Sequence, residues 1–178
     1  VSTHIFCTGK LQKFLGFKED SSALYTPHPL HSWNAQLFYL NKKKGLFFIN
    51  NETLFCFVEY PVVKADTRDF DALFLEGLIR ELYKVGIADP ALEGRLRERF
   101  TSVALRPTNN NRKALGHINQ RLREIDYYYY NYDTPEEYFQ DRSLSNGIYI
   151  KKPEHPSEVW RPDKLMKERV EHLFWTVE

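Results

Sequence analysis

Trp33-Asn34-Ala35-Gln36-Leu37-Phe38-Tyr39-Leu40-Asn41, Leu46-Phe47-Phe48-Ile49-Asn50 and Leu54-Phe55-Cys56-Phe57-Val58-Glu59-Tyr60 follow one another closely, and their reading decides the fold. All three are rich in the aromatic and branched residues that fit a pleated, half-buried surface. Lys42-Lys43-Lys44-Gly45 and Asn51-Glu52-Thr53 lie between them and have the lengths and residues of hairpin turns, so the stretch predicts an antiparallel meander. Apolar residues partly alternate in the first run, whereas Leu46-Phe47-Phe48-Ile49 is apolar on both faces and is expected to be central. Pro61, which has no amide hydrogen to give a ladder, ends the segment.

Working outward, Ile5-Phe6-Cys7 reads as a short strand, and Thr8 stands as N-cap to a helix carrying Leu11, Phe14 and Leu15, stopped by Gly16. Residues 18–31 lose the apolar period and contain Pro27 and Pro29, which predicts a surface loop. On the other side of the meander, Phe70, Leu73, Phe74, Gly77, Leu78, Leu82 and Val85 recur at helical spacing. They predict an amphipathic helix over 66–85, with Asp66 or Thr67 as cap and Gly86 as stop. Asp89-Pro90 starts a shorter helix through Phe100, and Ser102-Val103-Ala104-Leu105 reads as a further strand.

Asn109, Asn110 and Asn111 offer caps to a helix over about 112–125 with the core stripe Leu115, Ile118, Leu122 and Ile125. The tyrosine run 127–132 reads as a last strand or an aromatic edge, and Thr134-Pro135-Glu136-Glu137 opens a short helix. Asn146-Gly147 marks a tight turn. Residues 152–162 read as an extended, proline-rich connector into a final helix over 162–174. The expected class is α+β: an antiparallel sheet of about four to six strands with helices mainly on one face. One domain over 1–178 is expected, with 133–178 as a C-terminal extension packed on its core.

A chain of 178 residues is long enough for one well-buried core, and its 42% hydrophobic and 28% charged content is that of a globular domain rather than a disordered one. A formal net charge of +1 provides no long-range field toward nucleic acid or an anionic membrane, so any such attraction must be local. Cys7 and Cys56 form neither a disulfide framework nor a zinc motif, and both sit in apolar runs that suit core packing. Val1-Ser2-Thr3-His4 carries no basic n-region leading into an apolar run, and the longest apolar runs are too short for a bilayer. A cytoplasmic location without membrane contact is expected.

Several separate blocks occur in a family-like order. Ser32-Trp33-Asn34-Ala35, Asn41-Lys42-Lys43-Lys44, Ile49-Asn50-Asn51-Glu52, Phe70-Asp71-Ala72-Leu73-Phe74-Leu75-Glu76 and Asn111-Arg112-Lys113-Ala114-Leu115-Gly116-His117-Ile118-Asn119 together resemble the bacterial family known as domain of unknown function 6933, over roughly residues 4–125. The resemblance implies no activity, cofactor or catalytic set. It implies a setting only: an accessory protein of a mobile-element, toxin–antitoxin or phage-defence locus.

Arg95, Arg97, Arg99, Arg106, Arg112, Lys113, Arg121 and Arg123 stand against Glu98 alone, whereas the stretch from Glu124 onward is net acidic. At about 100° per residue, Arg112, Gly116, Asn119 and Arg123 fall along one helix line. Asn110, Asn111, Arg112, Lys113, Asn119 and Arg123 are the candidate phosphate or nucleic-acid contacts, since helix starts and guanidinium groups both favour anions. The tyrosine run supplies stacking partners for such a ligand. The plainer reading is a solvated basic face paired with the acidic C-terminal third.

Arg112 and His117 have the spacing of a pair used by HEPN-type ribonucleases, which makes them the candidate catalytic residues of a metal-independent ribonuclease. Five residues along a helix set them about 140° apart, so a shared site would need a partner chain. His28 and His31 could share a metal but lack an evident third ligand, so no metal is expected, and no cofactor motif is present. Glu76 and Glu81 are expected on the solvent side of the long helix. Trp33 and the aromatic strands either form a surface for another protein or fill the chain's own core. The favoured function is a non-enzymatic interaction module with a protein partner; the alternative is RNA binding or cleavage by the basic helix 112–123.

Overall fold

The computed structural model describes residues 2–17, 28–99, 102–141, 144, 147, 150–151 and 159–175. Strands β1 (Ser2–Cys7), β2 (Ser32–Leu40), β3 (Lys43–Asn50), β4 (Cys56–Glu59) and β5 (Ser102–Pro107) form one sheet in the order β4-β3-β2-β1-β5. The predicted meander is its centre. β2 runs antiparallel to β3 from Trp33↔Asn50 to Leu40↔Lys43, and β3 runs antiparallel to β4 from Leu46↔Glu59 to Ile49↔Cys56.

The first turn differs from expectation. It is Asn41-Lys42, with φ of 46° and 63°, while Lys43 and Lys44 belong to β3. Two consecutive left-handed residues make the tight hairpin turn that matches strand twist, and asparagine tolerates that region better than most residues. Gly45 serves another purpose: it pairs with Phe38 across the strands and leaves room for the Phe38 ring above it.

The sheet is an α+β sheet of five strands, as expected in class and size, but it is mixed. β1 is parallel to β2 (Ile5↔Trp33) and to β5 (Ile5↔Leu105), so only the meander half is antiparallel. Helix α1 (Gly9–Leu15) lies in the crossover from β1 to β2, and α2 (Phe70–Lys84) and α3 (Pro90–Arg99) precede β5. Such crossovers permit parallel pairing. Thr8 precedes α1 in extended conformation without a side-chain cap bond. A 3-10 segment, Lys64–Asp69, leads into α2, and the cap is Asp69 rather than Asp66 or Thr67, its carboxylate accepting from Ala72 N at 3.0 Å. Asp66 accepts from Val63 N at 2.7 Å instead.

Helix α4 (Arg112–Tyr128) is followed by a 3-10 turn, Tyr129–Asn131, then α5 (Pro135–Asp141), the two-residue strands β6 (Ile150–Lys151) and β7 (Val159–Trp160), and α6 (Pro162–Trp175). Most of the expected loop over 18–31, residues 152–158 of the expected connector and Asn146 of the expected turn lie outside the described residues.

Alternation along the strands sends residues to two faces, and helices cover both. Leu46 and Phe48 point into one cluster with Trp33, Phe57, Phe74 and Leu82, to which α1, α2, α3 and α6 contribute. Phe47 and Ile49 point into the other, with Ala114, Ile118 and Ile125 of α4 and Tyr138 and Phe139 of α5. Trp33 is wholly buried, edge-on to Phe57 at 5.6 Å and Phe74 at 5.3 Å, and its indole N–H donates to Leu30 O at 2.8 Å. That ring fills the core and offers no surface. Cys7 and Cys56 are buried free thiols, and burial pushes the Cys7 thiol up to about 12, which leaves it unreactive. No described helix is long and apolar enough to cross a membrane.

His31, just before the central strand β2, ties the sheet to acid stability. Its imidazole is buried and shares a 3.1 Å hydrogen bond with the Thr3 hydroxyl, and burial first, then the neighbouring His28, His4 and Arg99, hold its pKa down at about 4. An unfolded histidine titrates near 6.5, so the unfolded chain takes up the proton first. Stability is therefore expected to be complete above about pH 6.5 and to fall as the pH drops toward the folded pKa. Urea midpoints of the wild type and His31→Gln across this range check it: the variant should show a shallower acid decline, and an unchanged slope would reject the assignment.

Candidate functional site

The asparagine run aims the chain into α4. Asn110 takes a positive φ of 54°, its N–H donating to the Thr108 hydroxyl at 3.2 Å, and Asn111 N donates to Asn109 Oδ1 at 3.1 Å. Asn111 then caps the helix, its Oδ1 accepting from Ala114 N at 3.1 Å. Asn109 and Asn111 thus spend their side-chain oxygens on local backbone, while Asn110 is exposed.

On α4 the buried line is Ala114, Ile118, Arg121 and Ile125, with Leu115 and Leu122 half-covered beside it. The opposite line carries Arg112, Gly116, Asn119 and Arg123, all exposed. Arg123 Nε donates to the Asn119 carbonyl at 3.3 Å, and Asn119 Oδ1 accepts from Gln36 of β2 at 3.4 Å. Neither Arg112 nor Arg123 meets a carboxylate among the described residues.

The other cations are distributed differently. Arg121, counted among the cations between residues 95 and 123, is only 6% exposed and pairs with Glu124 at 2.6 Å. Arg97 joins Glu76 of α2 at 2.5 Å and Glu93 of its own helix at 2.7 Å. Lys113 lies over the Trp160 ring, 4.9 Å from its centroid. Glu136 of α5 goes to Lys43 of β3 at 2.5 Å. For Arg97 the neutralising carboxylates come from α2 and α3, whereas Arg121 pairs within α4 with Glu124, the first residue of the acidic C-terminal stretch.

Arg112 and His117 do not converge within the chain. Arg112 faces solvent, whereas His117 is half-buried on the Lys113 and Arg121 flank with Nδ1 enclosed and without a hydrogen-bond partner. Burial first, then the Arg121 and Lys113 charges, lower its pKa and keep the ring neutral near pH 7. His28 and His31 stand edge-on, 5.9 Å between centroids, with His28 Nδ1 accepting from Leu30 N and His31 bonded to Thr3. No cluster of three metal-ligating residue types occurs among the described residues.

Glu81 corrects another expectation. It is buried, its Oε1 accepting from Leu144 N at 3.3 Å and its Oε2 lying 3.8 Å from Lys84 Nζ. Leu144 crosses from the C-terminal third to reach it, a contact that helix periodicity does not reveal. Glu76 is exposed, as expected.

The tyrosine run is no strand. Tyr127 and Tyr128 complete α4, and Tyr129 and Tyr130 enter the 3-10 turn. Tyr129 and Tyr132 pack against the α5 cluster, while Tyr127, Tyr128 and Tyr130 remain 75%, 51% and 76% exposed. Tyr127 and Tyr128 stand edge-on at 5.0 Å. With Gly116, Gln120, Arg123 and Glu124 they line an open trough of about 540 Å³. Continuing the 100° count past Ile125 would have set Tyr127 beside Gly116 and Arg123. A second cavity of about 300 Å³ lies between α3 and α6, over Ile87, Leu92 and Val170, with no signal in local sequence.

A mixed sheet sheathed on both faces, with an arginine and tyrosine helix face turned to solvent, defines an α+β domain whose distinguishing surface is α4. The family model for Domain of unknown function (DUF6933) matches residues 4–165, and the chain belongs to that family. The match runs beyond residue 125 and takes in α5, both short strands and the start of α6. No curated protein and no solved structure gives a significant match.

Proposed function

We propose that this domain is a non-enzymatic interaction module that docks on another protein through the outward face of α4 and the tyrosine turn behind it. The observation that carries the reading is three largely exposed tyrosines with Arg123 beside Tyr127 and Tyr128, and Arg112 at the far end of the same helix face, neither arginine neutralised by a described carboxylate. Tyrosine and arginine dominate the energetic centres of protein interfaces, because each brings large contact area with a polar end. A stable core has no need of them there. Glu124 and Asp126 interleave the face, and the net charge is +1, which suits a mixed protein surface better than a phosphate backbone. The setting in a bacterial accessory or defence-related locus is part of the proposal and rests on the family resemblance alone.

Retention from host lysate tests it. Immobilised wild-type chain is expected to hold one dominant protein that is lost with the Arg123→Ala/Tyr127→Ala double variant, while both chains keep the same melting temperature. Retention of RNA that disappears steeply as salt rises would instead support the nucleic-acid reading. Equal retention by wild type and variant would remove the face from the account.

A further inference from the structure

We infer that the partner fitted by this face is a second copy of the chain, paired antiparallel along α4 about a twofold axis near Asn119; the inference rests on the docking reading above. Arg112, Asn119 and Asp126 are spaced seven residues apart, so they follow one line that drifts only about 20° per step. All three are exposed. The line is positive at its start, amide in its middle and negative at its end, and neither Arg112 nor Asp126 has an ion-pair partner among the described residues.

A twofold axis through the middle turns that gradient into complementarity. Each Arg112 comes opposite Asp126 of the partner subunit, and the twofold gives two equal contacts about 21 Å apart, the helix length between the two residues in either copy. A parallel pairing would set Arg112 against its own mate and Asp126 against its own mate, so the charges select the antiparallel one. The antiparallel arrangement also opposes the two helix dipoles.

Gly116 adds the steric condition. A Cβ there would meet nothing within 4 Å in the isolated chain, so the missing side chain leaves open space rather than relieving an internal clash. That space lies in the trough walled by Tyr127 and Tyr128, where the side chains of a second α4 can enter. Exposed ion pairs are individually weak, so the self-association is reversible and concentration-dependent.

Sedimentation of the full chain over a range of concentrations tests the pairing. The wild type is expected to shift from monomer to dimer, and Arg112→Asp or Asp126→Arg alone should weaken the dimer about tenfold or more, because each sets like charges opposite one another. The double variant Arg112→Asp/Asp126→Arg should recover it. As a second measurement, Asn119→Cys should form an oxidised dimer, since Cys7 and Cys56 are buried, whereas Ala91→Cys on α3 should not. A wild type that stays monomeric, or a double variant no better than the singles, overturns the self-pairing. If the Arg123→Ala/Tyr127→Ala variant then still loses a different protein, the docking reading survives with another occupant. If it loses nothing, both fall.

Discussion

Asn50→Ala is expected to destabilise the chain by about 3 kcal/mol or more, read as a lower urea midpoint with unchanged slope. Asn50 is fully buried where β3 ends. Its Oδ1 accepts from Glu52 N at 3.1 Å, Thr53 N at 3.0 Å and the Thr53 hydroxyl at 3.1 Å, which shapes the second turn of the meander. Its Nδ2 donates to Leu30 O and Ser32 O, both at 3.3 Å, and so fastens the start of β2 to the end of β3. Alanine takes the acceptor from the Glu52 and Thr53 N–H groups and the Thr53 hydroxyl, while Leu30 O and Ser32 O keep the Trp33 indole and the Asn51 N–H, and each buried donor so left costs about 1–3 kcal/mol. Asn50→Asp is expected to be no better, since it keeps the acceptor but removes both donors and buries a charge. A loss below about 1 kcal/mol for alanine would show that the turn holds without this residue.

Gly77→Val is expected to destabilise by about 3 kcal/mol, as overpacking of a close helix-to-sheet contact. Gly77 is the point at which α2 meets β4. A Cβ there would lie 2.7 Å from Phe57 Cε2 and closer still to a Glu59 carboxylate oxygen. Glu59 can swing aside, but Phe57 is stacked on Phe48 at 4.7 Å and edge-on to Phe74 at 5.4 Å, so the ring has nowhere to go. Gly116→Ala is the contrast: with open space at its Cβ, it should stabilise the isolated chain by up to about 1 kcal/mol through helix propensity. Thermal unfolding of the two variants side by side checks the pair, and equal signs would contradict the packing described for α2.

The meander was legible because its signals are local: aromatic strands of period two and polar turns of the right length. The turn itself slid by a residue or two because Lys42-Lys43-Lys44-Gly45 has the composition of a turn, while Gly45 is required by the Phe38 ring on the neighbouring strand. The parallel pairing of β1 with both neighbours was not legible, since β5 lies about a hundred residues away and no local pattern names a strand's partner. Tyrosine favours strands, and that preference points the wrong way over 127–132, where the helix begun at Arg112 runs on through Tyr128 and closes in a 3-10 turn. Arg112, Asn119 and Arg123 were placed on one exposed line by periodicity alone. Arg121 falls off that line, about 180° from Arg112, and the same count separates it from the exposed cations.

The claim on which the account depends is that the outer face of α4 and the tyrosine turn are where this chain meets another protein, itself or a different one. Hydroxyl-radical footprinting of the assembly recovered from the native host, set against the dilute purified chain, addresses it most directly. The expected result is protection of Tyr127, Tyr128 and Tyr130, with Tyr39 and Tyr83, also exposed but on β2 and α2, labelled equally in both. Equal labelling of the three turn tyrosines, or protection confined to Tyr39 and Tyr83, would contradict it.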